Sequence, residues 1–411
     1  MEIRPILSAL MRSKTGAVLV AVQVALSLAI LANALHIVNV RQAIAARPSG
    51  VAAERDIFYV NVSHMQESSH QQQLAEQKRL AALLRALPGV VAVAQTSQMP
   101  LSRSGYVIGV SADRKQTKTS ASVSTYISPD SLVKTFGLRL LEGRDFSADE
   151  APEIDENVEK SYPKVVIVTR ATADAVWPGS ASVLGKPLYL GTGSKAEALR
   201  VVGVVERLQT QSGQVKIEGE QSLLMPARLT GGLDLLFALR AEPGQRDRLM
   251  KEAEQAIRSA TPQRLLIRTG SMEQDRKKRY RNEYALSWML IAVSALLLMV
   301  TASGIVGIAS LWVTQRRRQI GVRRALGARR IDILRYFLTE NIMITTLGVA
   351  GGALLGLALN QLLVSQLEMT RLPPLYLAGG AGMLWLLGIV AVYGPAWRAA
   401  SISPATATRS I

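Results

Sequence analysis

Few side chains in this sequence stand at the spacings that chemistry needs. GTGSKA at residues 191–196 has the glycines and lysine of a phosphate-cradling loop, but not the G-x-x-x-x-G-K-[ST] spacing of a Walker A motif. It falls between KPLYL and EALRVVGVV, so a hairpin turn is the better reading. Ser128 and Asp130 lie in YISPDSLVKTFG, with no nucleophile elbow and no histidine nearby, which speaks against a serine hydrolase. Asp149, Glu150, Glu153, Asp155 and Glu156 offer oxygens. Without EF-hand spacing or a pivot glycine they read as a solvated loop, not a calcium site. His36, His64 and His70 are the only histidines, and the last two read as surface residues sooner than as metal ligands. The absence of cysteine removes thiolate catalysis, disulfides and cysteine metal sites. The expectation is a chain that is no enzyme and holds no metal or cofactor of its own. One stretch remains, RRRQIGVRRALGARR at 316–330, where seven arginines stand in fifteen residues without an acid. Its chemistry is docking, either on a partner protein or on anionic lipid head groups, each arginine contributing about 1 kcal/mol to the latter.

The elements that position this stretch are apolar. Four runs, at 16–38, 284–313, 336–365 and 375–396, are each long enough to span a bilayer as a helix, which takes about 20 residues. The first exceeds the apolar core of a cleavable signal and reads as an uncleaved anchor, although AIA at 43–45 has cleavage-site spacing. Arg4, Arg12 and Lys14 precede it and place segment 1–15 in the cytoplasm. Four spans then put 39–283 outside, 314–335 inside as a coupling segment, 366–374 outside as a short loop, and 397–411, with Arg398 and Arg409, inside. Glu340 and Asn341 enter the third run near its cytoplasmic end, where a polar side chain reaches water or a partner. RKKRYR at 276–281 runs against the positive-inside rule; it either holds outer-leaflet head groups or solvates a helix. With 48% hydrophobic residues and a net charge of +17, the chain is part membrane, part soluble domain. Only 5% aromatics and a basic excess at span ends argue against nucleic acid.

The outer segment alternates strand and helix patterns. RDIFYVNVS, KVVIVT, LRVVGVVERL and LDLLFALRAE predict strands, and QQQLAEQKRLAALLRALPGV and RDRLMKEAEQAIRSATP predict amphipathic helices. The fold class is therefore an integral membrane protein with four transmembrane helices and a large extracytoplasmic α+β domain, in two lobes, between helices 1 and 2. Residues 39–46 and 272–284 extend the first two spans as a stalk, limited on one side by the loop AARPSGVA at 45–52.

TQRRRQIGVRRALGARRIDILRYFLTENIMITTLG resembles the signature of the FtsX-like permease family, a basic T-R-E-I-G-I-R-x-A-L-G-A segment entering a span. YGPAWRAASISPATATR is similar to that family's ending. FGLRLLEGRDF, VVIVTRATADAVWPGSASVLGKPL and RVVGVVERL resemble the periplasmic core domain of MacB-type transporters. The chain departs at Gln319, where a Glu is usual, and at Thr408, where a Leu is usual. The resemblance implies a bacterial inner-membrane permease subunit of an ABC transporter, with a periplasmic domain. In such a protein ATP-driven movement of a cytoplasmic ATPase dimer passes along the spans to the outer domain (mechanotransmission) and drives export. It implies ATP and Mg on a separate ATPase chain, and a second permease, identical or a sibling. A periplasmic adaptor and an outer-membrane duct are further implied partners. An FtsX-like signalling subunit acting on a cell-wall hydrolase, or a LolC/LolE-like lipoprotein extractor, are the alternatives.

In that reading Gln319, Ile320, Gly321, Val322, Arg323, Arg324, Ala325, Leu326, Gly327 and Ala328 form the ATPase-coupling element. Val322, Ala325, Leu326 and Ile333 fall at helical spacing on one face. Gly321 and Gly327 each weaken an isolated helix by about 1 kcal/mol, so a short helix between turns is expected. Gly348, Gly352 and Gly356 form a small-residue stripe for helix packing, within one copy or between two.

Overall fold

The structure, a computed structural model, describes residues 14–64, 68–158, 161–213, 217–261, 265–367 and 370–401. Arg4, Arg12, Thr408 and Arg409, and most of the closing motif, lie outside the described residues. The chain divides into two compact units, Ala46–Arg281 and a second made of the chain up to Ala45 and from Asn282 onward.

The second unit is helical. Helices α1 (Lys14–Ala45), α6 (Met272–Gln315), α8 (Arg330–Leu367) and α9 (Pro374–Ala400) are each long and apolar enough to cross a membrane. A nine-residue helix, α7 (Arg317–Ala325), joins α6 to α8. All four long helices exceed the apolar runs that seed them, and α6, at 44 residues, is more than twice the roughly 20 that hydrocarbon requires. The unit boundary at 281/282 falls inside α6. Helix α1 packs against α8 and α9. It is fastened to α6 by Ser27 Oγ and Thr301 Oγ1 at 2.7 Å, by Gln23 Nε2 donating to the Val300 carbonyl at 3.0 Å, and by an Arg41–Glu283 ion pair. Hydroxyls and amides serve where lipid supplies no partner.

Gly348, Gly352 and Gly356 face α1. A Cβ on Gly348 would come within 2.7 Å of the Ala21 carbonyl oxygen, and one on Gly352 within 2.7 Å of that of Ala25. At Gly356 the near neighbours include Leu377 and Ala29. Ala21, Ala25 and Ala29 thus mirror the glycines at the same four-residue spacing. The stripe packs within one copy, the first of the two uses its spacing allowed. Asn33 Nδ2 donates to the Gly356 carbonyl at 3.1 Å in the same seam.

The unit Ala46–Arg281 has two lobes. The first is an antiparallel sheet in the order β13 (Leu265–Ser271), β1 (Ile57–His64), β12 (Asp234–Ala241), β2 (Val90–Gln95). Alternation along β1 sends Phe58, Val60 and Val62 to one face, where α2 (His70–Arg85) and α5 (Arg246–Ala260) cover them. A capping box of Ser69 and Gln72 starts α2, and its buried residues Gln77, Leu80, Ala81 and Leu84 follow the helical repeat. The second lobe is a seven-stranded mixed sheet. Its order is β5 (Leu140–Gly143), β9 (Glu197–Val205), β7 (Val165–Thr169), β10 (Ser222–Met225), β4 (Ala121–Ile127), β3 (Val107–Ser111), β8 (Pro187–Leu190). Because β8 also pairs with β9, six strands close into a ring and β5 hangs on its outside. Strand β7 is buried at every position, which accounts for its unbroken VVIVT. Short helices α3 (Leu132–Phe136) and α4 (Arg170–Val176), and a parallel pair β6 (Glu153–Asp155) and β11 (Arg228–Thr230), complete the lobe. A cluster that includes Ile57, Tyr126, Phe136, Ile167 and Met272 fills the space between the two sheets.

GTGSKA is the turn of the β8–β9 hairpin, with Gly191 and Gly193 at φ 81° and 88°. The acidic run is no solvated loop: Arg144 holds Glu150 at 2.6 Å, Lys78 holds Glu153 at 2.7 Å, and 153–155 form β6. His70 Nδ1 lies 2.6 Å from Thr230 Oγ1. RKKRYR is neither a head-group site nor a merely solvated helix face. Arg276 is bidentate on Glu54 at 2.7 and 2.8 Å, and Arg279 Nη2 donates to the Gly213 carbonyl at 2.9 Å. Tyr280 is buried between them. Lys277, Lys278 and Arg281 are exposed, so the run is half fastening and half surface.

Candidate functional site

The corner from Gln315 to Arg330 is set by two local signals. At its start Arg316 leaves helical geometry (φ −97°, ψ 9°) and breaks α6 from α7. At its end Gly327, at φ 99°, stops α7 in a Schellman arrangement. Its own N–H donates to the Arg324 carbonyl at 3.2 Å, and that of Ala328 donates to the Arg323 carbonyl at 3.1 Å. The next helix opens with Asp332, whose Oδ2 accepts from the Arg329 N–H at 3.0 Å. Gly321, by contrast, is buried in mid-helix.

Of the ten coupling residues, Ile320 and Gly321 face the core of their own unit. Arg324 and Ala328 are half-buried, and Gln319, Val322, Arg323, Ala325, Leu326 and Gly327 are exposed. Leu326, at 83% exposure, projects furthest from cover, with Val322 one turn before it. Ile333 does not share that face. It is buried against the unit core, because the chain turns at Gly327 and the α7 repeat is not carried into α8. The corner therefore presents Val322, Ala325 and Leu326 among exposed arginines, an apolar patch with a cationic rim.

The sequence reading missed what holds this corner. Arg316 Nη1 donates to both carboxylate oxygens of Glu340, at 2.7 and 2.9 Å, and Glu340 is 1% exposed. The Arg316 guanidinium also lies 5.8 Å from the Trp312 ring centroid, and that of Arg323 lies 5.2 Å from the Tyr336 ring. A carboxylate buried at this depth needs a bound cation, and Arg316 is that cation. Glu340 reaches neither water nor an outside partner. The sequence signal was present: Glu340 is the single charged residue of run 336–365, one connection from the basic stretch.

No group of three or more His, Cys, Asp or Glu among the described residues is placed to hold a metal. Among the described residues the corner's assets are shape, apolar surface and positive charge, which suit a protein–protein contact.

Comparison with known proteins gives two family matches. The FtsX-like permease C-terminal region matches residues 291–404, and the MacB-like periplasmic core domain matches residues 23–259. A pyoverdine export ATP-binding/permease protein, PvdT, of Pseudomonas savastanoi is 32% identical over 224 residues, covering 51% of this chain and 33% of that protein. A macrolide export ATP-binding/permease protein, MacB, of Chromobacterium violaceum is 27% identical over 277 residues, covering 65% of this chain and 40% of its own length. The chain thus spans well under half the length of these curated relatives. The crystal structure of the periplasmic region of MacB from Actinobacillus actinomycetemcomitans covers 57% of this chain and 96% of its own, with a TM-score of 0.36 and 13% identity.

Proposed function

Because the chain belongs to the family that joins a MacB-like periplasmic core domain to an FtsX-like permease C-terminal region, we propose that it is the membrane permease part of an ABC exporter. In this reading an ATP-binding unit docks on the corner 316–330 in the cytoplasm. Its ATP-driven motion passes through the four membrane helices to the domain Ala46–Arg281 in the periplasm, and the permease works as a pair.

The observation that supports this reading is Leu326, exposed on a short helix whose root is fixed by the buried Arg316–Glu340 pair. A lever needs a tip that can enter a partner and a base that does not yield, and the corner has both. The relatives' names carry ATP binding and permease in one protein, and export as the process. Those names supply the class of activity proposed here and do not select a cargo.

The test is a pull-down of the detergent-solubilised protein, wild type beside Leu326→Asp, with ATPase activity assayed in each. Burying a carboxylate in an apolar socket is costly. The mutant is expected to lose the ATP-binding unit, or, where that unit is held by another contact, to lose ATP-driven change in the outer domain. Normal binding and normal response in Leu326→Asp would remove this corner from the coupling path.

A further inference from the structure

Within the unit Ala46–Arg281, a cavity of about 500 Å³ opens beside the uncovered face of the four-stranded sheet. That volume lies in the range of small-molecule sites. Tyr59 and Asn61 reach it from β1, and Gln77 from α2. Gln77 occupies the first place in the buried repeat Gln77, Leu80, Ala81, Leu84, where an apolar residue would suffice. It is 0% exposed. Its Nε2 donates to the Leu229 carbonyl at 2.8 Å, which fixes the orientation of the amide and leaves Oε1 buried with no hydrogen-bond partner among the described residues. Asn61 Oδ1 is buried and unpartnered in the same way.

Other lining amides are already committed. Gln98 gives Nε2 to Ser124 Oγ at 2.6 Å and accepts the Tyr106 N–H on Oε1 at 2.7 Å. Gln95 Oε1 accepts from Arg228 at 2.7 Å. What the cavity has left over is acceptors, at Gln77 and Asn61. Two carboxylates, Glu156 and Asp234, stand exposed at its margin, and Glu156 makes no ion pair among the described residues. Asp234 accepts from Ser63 Oγ. No described lysine or arginine lines the cavity, in a chain whose net charge is +17. The remaining wall is apolar and aromatic, with Leu233 and Leu236 beside the Tyr59 ring, which lies on Gly270 so closely that a Cβ there would come within 2.4 Å of it.

Buried acceptors without donors, a carboxylate margin, and an aromatic wall share one complement. We propose that this cavity binds a small organic cation, a protonated amine carried on a short apolar body. The ammonium donates to Gln77 Oε1 and Asn61 Oδ1, and the apolar body lies along Tyr59 and the leucines. Three donors on one ammonium match the geometry better than a hydroxyl, which has a single donor, and the ring adds a cation–π contact. The site stands apart from the corner 316–330 and does not depend on the exporter reading.

The test uses the full chain in detergent, titrated by calorimetry with phenethylamine, 2-phenylethanol and 3-phenylpropionate, which share a ring and differ in the head. Phenethylamine is expected to bind saturably, at least about tenfold more tightly than the alcohol, while the carboxylate does not bind. Gln77→Met, which keeps the volume and removes the acceptor, should weaken phenethylamine about tenfold. Glu156→Gln, at the exposed margin where folding is not at stake, should weaken it severalfold and make it less sensitive to salt. Equal binding of amine and alcohol, absence of saturable amine binding to the wild type, or amine affinity unmoved by Glu156→Gln would each overturn the proposal and leave a cavity filled by water.

Discussion

At the scale of residues, two ion pairs at opposite exposures behave differently. Removing Glu340 leaves Arg316 with its side chain 16% exposed and no counter-charge. Glu340→Ala is expected to cost about 3 kcal/mol of stability, read from thermal unfolding in detergent. Arg316→Met with Glu340→Met should recover most of that loss, because an apolar pair needs no compensation. If the double substitution is as unstable as the single one, the pair is not what holds the corner. Glu150 presents the other case. Hydrogen bonds from Arg144, and one from the Ser147 N–H, push its carboxyl down from 4.5 to about 2. Its folded value lies below its unfolded one, so the stabilisation is fully present above about pH 4.5 and fades as the pH falls toward 2. The pair is near the surface, so its contribution is below about 1 kcal/mol. Glu150→Gln should flatten the acid limb of the domain's stability curve without moving its neutral plateau, and an unchanged acid limb would contradict the assignment.

At the scale of elements, adjacent glycines of α8 make a sharp comparison. Gly352→Ala drives a Cβ to 2.7 Å from the Ala25 carbonyl oxygen, whereas at Gly351 the nearest atom is the Ala25 Cβ at 3.8 Å. Gly352→Ala is expected to destabilise by about 1–3 kcal/mol as the helices are forced apart. Gly351→Ala should be neutral, or up to about 1 kcal/mol more stable through helix propensity. Equal effects in thermal melts would mean that α1 and α8 do not meet there. The elements themselves were legible where a strong period or a strong stop signal was present. The apolar runs, the β8–β9 turn at GTGSKA, and the helices closed by Pro88 and Pro262 depend on local rules. What stayed hidden depends on pairing across the chain. Nothing near Glu340 announces Arg316, and nothing in the Gly348 stripe distinguishes Ala21, Ala25 and Ala29 from the alanines around them. Likewise Ile333 was placed on the wrong face because a helical repeat was continued through Gly327, where the backbone turns. RKKRYR read as free charge because its acceptors, Glu54 and the carbonyls of 212 and 213, lie far away in sequence.

At the scale of the whole molecule, the exporter reading requires the hairpin at 191–196 and the corner at 316–330 to be on opposite sides of the bilayer. The chain contains no cysteine, so a single introduced thiol is an unambiguous reporter. Ser194→Cys should react with an impermeant maleimide from the periplasmic side and Gln319→Cys only from the cytoplasmic side. Labelling of both from one side would refute the four-span topology. The sheet order adds a consequence in time. Strands β1 and β2 leave the ribosome early, but β12, the strand that lies between them, begins only at Asp234. Roughly 170 residues separate the end of β1 from its partner, which at about 5–20 residues per second is some 10–30 s of synthesis. For that interval β1 is a nascent strand with neither neighbour, while the ring of β3 to β10 can close on its own. The lobe that starts the domain is thus the last to be finished, and its newborn edges are where a holding chaperone has most to do.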